Sequence, residues 1–214
     1  ETIADRWAEV VASRAGATKL VLNADDPLVA DLGRELPGVT YFGVEDTSLA
    51  LPELQHASDS KHCRSCGAPY VYDAAFLGHL GHYHCERCGQ RRPKPQVAAE
   101  RVVLQGVHSA TIALRTPAGP LEVALPLPGL YNVYNALAAA AVAVALDVPL
   151  EAVKEGLEGF RAAFGRFERI AVDDRELVLL LIKNPAGANE AVRTLEDGGV
   201  PATLMIALND AIAD

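Results

Sequence analysis

Outside a single stretch of 26 positions the 214-residue sequence contains no cysteine, and it holds one methionine (Met205) and one tryptophan (Trp7). Secreted disulfide scaffolds spread their cysteines through the fold. The clustering of Cys63, Cys66, Cys85 and Cys88 excludes that class and points to metal binding in a reducing cytoplasm. No apolar run reaches the ~18 residues of a membrane span, and no charged-then-apolar leader opens the chain. Positive charge is short: 19 basic against 28 acidic residues give −9, which argues against a general nucleic-acid binder. The sequence has no GxxxxGK[ST] phosphate loop and not even a Gly-Lys dipeptide, so no ATPase can be assigned from a motif of that kind.

What is present is enough for a proper core. Half of the residues are hydrophobic and 22% are charged, which excludes disorder. The length leaves room for one large domain or one and a half. The chain opens at Glu1 without a methionine and stops at Asp214, just after an apolar run. Both ends read as cuts through a longer protein, so missing elements are expected outside it.

Periodicity predicts a helix over 1–16, with Ile3, Trp7, Val10 and Val11 at helical spacing and Gly16 as C-cap. A short buried strand over 19–23, a helix over 28–35 and a strand over 39–44 suggest a parallel α/β sheet. Residues 60–95 differ in composition. They carry all four cysteines, four of the six histidines and a local charge of +4, leaving −13 for the remainder. This stretch reads as a module inserted into an acidic α/β domain and packed separately from it. Strands over 98–104, 110–115 and 121–125 follow as an antiparallel set. A helix over 132–146 is so uniformly apolar that burial on all sides is expected. A shorter helix spans 150–156. Beyond a junction near Phe164, a fully apolar strand (176–182), a helix (188–195) and another apolar strand (202–208) read as the start of a second α/β domain. The expected division is 1–164 and 165–214.

Cys63-x-x-Cys66 and Cys85-x-x-Cys88, 18 residues apart, have the spacing of a four-thiolate zinc ribbon. Each CxxC forms a tight knuckle aiming two sulfurs at one point. Gly67 and Gly89 follow the second cysteines, where positive φ is useful. With four cysteines no open coordination position remains for catalysis, so a structural Zn²⁺ is expected; a redox dithiol or another metal is the alternative. His84, beside Cys85, is the best substitute ligand among the histidines, which otherwise read as module surface or packing.

In Leu127-Pro-Gly-Leu-Tyr-Asn132-Val-Tyr-Asn135-Ala, two asparagines three apart at a helix start share one face. Carboxamides both donate and accept, as an adenine edge requires, and a helix N-terminus favours phosphate. The plainer alternative makes Asn132 an N-cap and Asn135 a surface residue. The stretch resembles the Gly-x-x-Asn-x-x-Asn-Ala motif of the ATP-dependent Mur ligase family of peptidoglycan synthesis. Val21-Leu-Asn23-Ala-Asp25-Asp26-Pro27 resembles the strand-end motif of that family's central domain, and Gly165-Arg166-Phe-Glu168 the arginine motif opening its C-terminal domain. The cysteine module and Lys183-Asn184-Pro185-Ala186-Gly187-Ala188-Asn189-Glu190 are similar to one branch: the ligase-like subunit of lipid II isoglutaminyl synthase, which works with a GatD-type glutaminase.

The resemblance implies a Mur ligase-type central domain with an inserted zinc ribbon, and ATP-dependent amidation, with Mg²⁺, of the D-glutamate α-carboxylate of lipid II. It further implies that Asn132 and Asn135 hold adenine and that Arg166 reaches the ATP phosphates; an ordinary pair with Glu168 is the alternative. Lys183, placed after a buried strand at the carboxyl edge of a sheet, would contact nucleotide or acyl-phosphate charge, or else be a solvated strand end. Asp25 and Asp26 would act near magnesium or serve as turn and cap. Asp210 would complete the partner's catalytic triad, with a cap or turn role as its alternative and Asp214 as the alternative acid. Two departures stand out. Tyr131 occupies a position where many family members have His, and Lys183-Asn-Pro replaces an Asp-containing segment, as suits ammonia rather than an amino acid as nucleophile. Two other functions remain open from sequence: a self-contained amino-acid ligase, and a non-catalytic zinc-ribbon scaffold for protein or RNA.

Overall fold

The computed structural model describes residues 3–14, 16–53, 60–161, 167–199 and 203–207. A five-stranded mixed sheet with order β1-β2-β5-β6-β7 organises most of them. Strands β1 (Val21–Asn23), β2 (Thr40–Val44) and β5 (Val97–Leu104) run parallel, and β6 (Ala110–Thr116) and β7 (Gly119–Leu125) complete the sheet as an antiparallel meander. The parallel β1–β2 link is crossed by α2 (Pro27–Asp31). The β2–β5 crossover instead contains the cysteine module, with hairpin β3 (Val71–Leu77) and β4 (Leu80–His84). Parallel neighbours require a long connection, and here the module supplies it.

Helix α3 (Leu130–Ala145) lies on this sheet and buries Leu130, Val133, Tyr134, Leu137, Ala140 and Ala141. All-round burial is not observed. Asn135, Ala139, Val142 and Leu146 form an exposed stripe at helical spacing, so the helix has one core face despite its composition. Helix α4 (Leu150–Glu158) packs beside β7 and contributes Val153 to the core.

The cysteine module is not an independent packing unit. Its own cluster holds Cys63, Tyr70, Tyr83 and Cys85, but Ala74 and Phe76 of β3 belong to the main core with Val44, Ile112 and Leu137. Within β3 the apolar run Ala74-Ala75-Phe76 is buried in succession, and it is the part of the hairpin whose buried side chains reach the main core.

Helix α1 (Ile3–Ser13) forms as predicted, yet Ile3, Trp7 and Val10 are exposed and only Val11 is buried. Further along, the strand expected over 176–182 and the helix expected over 188–195 both form, but the strand pairs antiparallel with its predecessor instead of opening a parallel βαβ unit. Residues 167–180 form an antiparallel hairpin of β8 (Phe167–Val172) and β9 (Arg175–Leu180), turning at Asp173 with φ +54°. Leu177, Leu179, Leu181 and Ile182 are about half exposed, and residues 203–207 form no strand. Helix α5 (Pro185–Asp197) starts at Asn184, whose side chain accepts the Gly187 N–H at 2.7 Å. It reaches the earlier elements through Arg193, which donates to the Phe76 carbonyl at 3.0 Å.

Candidate functional site

The two CxxC turns close as knuckles. The Gly67 N–H donates to the Cys63 carbonyl at 2.7 Å and the Gly89 N–H to the Cys85 carbonyl at 2.9 Å, with φ of +72° and +76°. The four sulfurs lie within 4.8 Å of one another, with Cys63–Cys88 and Cys66–Cys85 each at 3.5 Å, and all are free thiols. Thiolates on a tetrahedral zinc at about 2.3 Å lie about 3.8 Å apart, so the donor set fits that ion. Burial opposes ionisation of Cys63, but the N–H groups of Cys66 and Ser65 bring its thiol down to about 7. At Cys88 the Gln90 N–H favours the thiolate, while burial and the neighbouring sulfurs outweigh it and push the thiol up to about 12. Four thiolates this close coexist only around a cation. His84 is not a substitute ligand: its Nδ1 pairs with Asp73 at 3.0 Å, outside the sulfur set.

The positive module docks on three aspartates of the β1–α2 segment. Arg92 Nε lies 2.5 Å from Asp25 Oδ1, His79 Nε2 is 3.2 Å from Asp26 Oδ2, and Gln90 Nε2 donates to Asp31 Oδ1 at 2.6 Å. Arg64 bridges Asp31 at 3.4 Å and Asp5 of α1 at 2.6 Å. The +4 and −13 balance of the sequence thus has a structural counterpart at this interface.

Asp26 is the N-cap of α2, accepting the N–H groups of Leu28 and Val29, with Pro27 in the first turn. Asp25 is completely buried. It accepts from Arg92, from the Val44 N–H at 2.8 Å and from the Tyr134 hydroxyl at 2.7 Å. Burial pushes its carboxyl above the usual range, against the pull of the Arg92 charge, the Val44 N–H and Tyr134. Arg92 also bonds Glu45 at 2.7 Å and the Val44 carbonyl at 3.1 Å. Of the turn-and-cap and magnesium alternatives for Asp25 and Asp26, the contacts of both are of the structural kind. Arg92 and Tyr134 were missed by sequence reasoning. A basic residue four positions past the last cysteine, and an aromatic between the two asparagines, are the only signals they leave.

Asn132 and Asn135 share one face, as their spacing predicts. Asn132 is buried and donates to the Pro128 carbonyl at 2.7 Å; Asn135 is exposed, with its amide nitrogen 3.5 Å from Asn132 Oδ1. Neither caps the helix. Gly129 (φ +82°) is the N-cap, without a side-chain bond. Burial pushes the Tyr131 hydroxyl up, against a bond from Asn132. The α5 helix adjoins this end of α3, because a Cβ on Gly129 would meet Thr194 Oγ1 at 2.9 Å. Lys183 is exposed and precedes the Asn184 cap, following an exposed strand rather than the buried one expected. Arg166, Asp210 and Asp214 lie outside the described residues.

No protein-family model matches the chain. It is 33% identical over 196 residues to the MurT subunit of lipid II isoglutaminyl synthase (glutamine-hydrolyzing) of Streptococcus pneumoniae, covering 91% of this chain and 42% of that protein. A pseudomurein peptide ligase type C from Methanothermus fervidus superposes with TM-score 0.72 at 35% identity, over 89% of this chain and 36% of the other. MurF from Acinetobacter baumannii shares the fold, with TM-score 0.56 at 21% identity over 89% of this chain and 32% of its own. The chain spans about two-fifths of the length of the curated MurT relatives it matches. Among the described residues no helix is long and apolar enough to cross a membrane. Across nine-tenths of its length the chain is therefore a homologue of MurT subunits, and its structural neighbours are Mur ligases.

Proposed function

We propose that this chain is the nucleotide-facing and metal-bearing part of a subunit that amidates the D-glutamate α-carboxylate of lipid II, in the cytoplasm, with ammonia from a GatD-type glutaminase. The observation that carries this is the chain-long similarity to MurT, supported by an asparagine pair at the start of α3 and a four-cysteine module between β2 and β5.

ATP enters as substrate. Its γ-phosphoryl group passes to the carboxylate oxygen and leaves ADP and an acyl phosphate. Ammonia then attacks the carbonyl carbon, phosphate departs, and the nitrogen loses a proton to leave the amide. Asn135 offers an exposed carboxamide for the adenine edge, and Asn132, held by Pro128, fixes its orientation. Arg166 and Lys183 are the cations proposed for phosphate and acyl-phosphate oxygens. Magnesium, when bound, neutralises charge on those oxygens. Zinc held by Cys63, Cys66, Cys85 and Cys88 is structural, with no open position for substrate. Asp210 is the acid proposed to orient the glutaminase imidazole by a charge-assisted hydrogen bond, because of its place two residues past an apolar run.

The test is amidation of lipid II by the full-length protein with glutamine and ATP, with and without the glutaminase. Product only with the partner present, and partner-free product when ammonium replaces glutamine, are the expected results. Incorporation of an amino acid without the partner would replace this function by that of a self-contained ligase. Neither ATP hydrolysis nor product under any condition would leave the scaffold function. In the complex, Asp210→Asn is expected to abolish most glutamine hydrolysis while leaving ATP binding intact; full glutaminase activity would move the assignment to Asp214.

A further inference from the structure

The cysteine module and the asparagine pair meet at one buried carboxylate. Asp25 receives Arg92 from the module at Oδ1 and Tyr134 from α3 at Oδ2. Arg92 is held by the second knuckle's return strand: its N–H donates to the Tyr83 carbonyl at 2.9 Å, and the Cys85 N–H to the Gln90 carbonyl at 2.7 Å. Two more bonds bind the module to the same strand ends, from the Gly81 N–H to the Asp25 carbonyl at 2.9 Å and between His82 Nε2 and the Val44 carbonyl at 2.8 Å. Tyr134 lies between Asn132 and Asn135 in the first turns of α3. A rotation of the helix that displaces its hydroxyl also displaces both carboxamides.

We propose that Arg92 and Tyr134 are positioning residues that couple metal occupancy of the cysteine module to nucleotide binding at the α3 asparagines. The proposal rests on the nucleotide role given to Asn132 and Asn135 above. Its physical basis is the cost of an unmatched buried charge. With the metal bound, the second knuckle holds Arg92 against Asp25, and the paired carboxylate accepts from Tyr134. With the metal gone, nothing binds the four sulfurs to one point, the 85–92 return loses that anchor, and Arg92 is free to leave a carboxylate that has no solvent of its own. Asp25 must then take a proton or turn away. Turned away, Asp25 leaves the Tyr134 hydroxyl without its acceptor; protonated, it keeps only a neutral oxygen there, a weaker acceptor than the ion-paired carboxylate, and in both cases the start of α3 is held less firmly. Linkage makes the effect reciprocal: bound nucleotide must tighten metal binding by the same factor.

The experiment uses full-length protein and a fluorescent ATP analogue, with zinc present or removed by chelation. Zinc removal is expected to weaken the analogue about tenfold, within the usual range of coupling between sites. Saturating analogue should strengthen zinc binding equally in competition with a chromogenic chelator. Tyr134→Phe keeps the ring and removes only the hydroxyl. It should retain one zinc, bind the analogue more weakly, and lose most of the response to chelation; a residue that merely fills space would leave that response intact. Equal dependence on zinc in wild type and Tyr134→Phe overturns the proposal, as does unchanged affinity after zinc removal. Hydrogen exchange over residues 130–137 reports the link without nucleotide: protection should fall on zinc removal, and unchanged protection overturns it. If Asn135→Ala leaves affinity unchanged in zinc-loaded protein while exchange still responds, it is the nucleotide role that fails, not the link. Global unfolding on zinc removal would instead overturn the specific route through Asp25.

Discussion

Gly43 lies against the buried carboxylate of Asp25 so closely that an added Cβ would fall 2.6 Å from Oδ1 and 2.7 Å from Nη2 of Arg92. Neither neighbour is the loose end of a solvated chain, because Asp25 is fully buried and Arg92 is tied to Asp25, Glu45 and Val44. Gly43→Ala should therefore destabilise the protein by about 1–3 kcal/mol through overpacking. Urea denaturation checks this. Unchanged stability would mean that β2 can shift without breaking the Asp25–Arg92 pair.

The metal prediction follows from the shared core. Protein purified without added metal should carry one zinc per chain, measured by elemental analysis, and Cys85→Ser should lose it. Because Ala74 and Phe76 pack with Val44, Ile112 and Leu137, that loss should lower the main thermal transition instead of producing a separate early one. A variant that loses zinc but keeps the wild-type main transition would mean that the module packs alone after all.

The asparagines should separate by readout. Asn135 is exposed, so Asn135→Ala should leave stability near wild type and weaken ATP binding by about 1–3 kcal/mol, the cost of an unpaired partner. Asn132 is buried and bonded to the Pro128 carbonyl, so Asn132→Ala should reduce both stability and affinity. Nucleotide titration alongside urea melts decides it, and unchanged affinity in both variants would remove the pair from the nucleotide site.

Features carried by local spacing were legible in the sequence. The two knuckles follow from CxxC followed by glycine, and the parallel and antiparallel halves of the sheet from strand spacing around the module. The shared face of Asn132 and Asn135 follows from helical geometry. What was not legible is carried by contacts across long separations: Arg92 with Asp25 over 67 residues and Tyr134 with Asp25 over 109. No local pattern distinguishes those side chains from surface ones. Burial was misjudged where composition was read without a partner face. Val142 of α3 and Leu146 at its C-cap are as apolar as core residues, yet exposed. Strand β8 was missed because Glu168 and Arg169 interrupt its apolar residues; Arg169 is in fact paired across the hairpin with Glu176 at 2.9 Å.

Asp46 gives a prediction in pH. Its Oδ1 accepts the Ser48 N–H at 3.1 Å and the Ser48 hydroxyl at 2.6 Å, and its Oδ2 accepts the Val102 N–H at 2.8 Å. Burial opposes its charge, but Ser48 and Val102 outweigh this and hold the carboxyl below its ordinary 3.8. A group whose value is depressed by folding stabilises the fold fully above the unfolded value, and that contribution fades as pH falls through the folded value. Only an ionised carboxylate accepts at both oxygens; an amide turns an NH₂ toward Ser48 or Val102. Asp46→Asn should therefore cost about 1 kcal/mol at pH 7, in the range of a lost cap. The difference from wild type should shrink as pH falls below 3.8, although other carboxylates titrate in both proteins. Urea melts of the two proteins across pH 7 to 3 give that difference directly. A gap that stays constant, or widens toward acid, would show that Asp46 acts through shape and not through its charge.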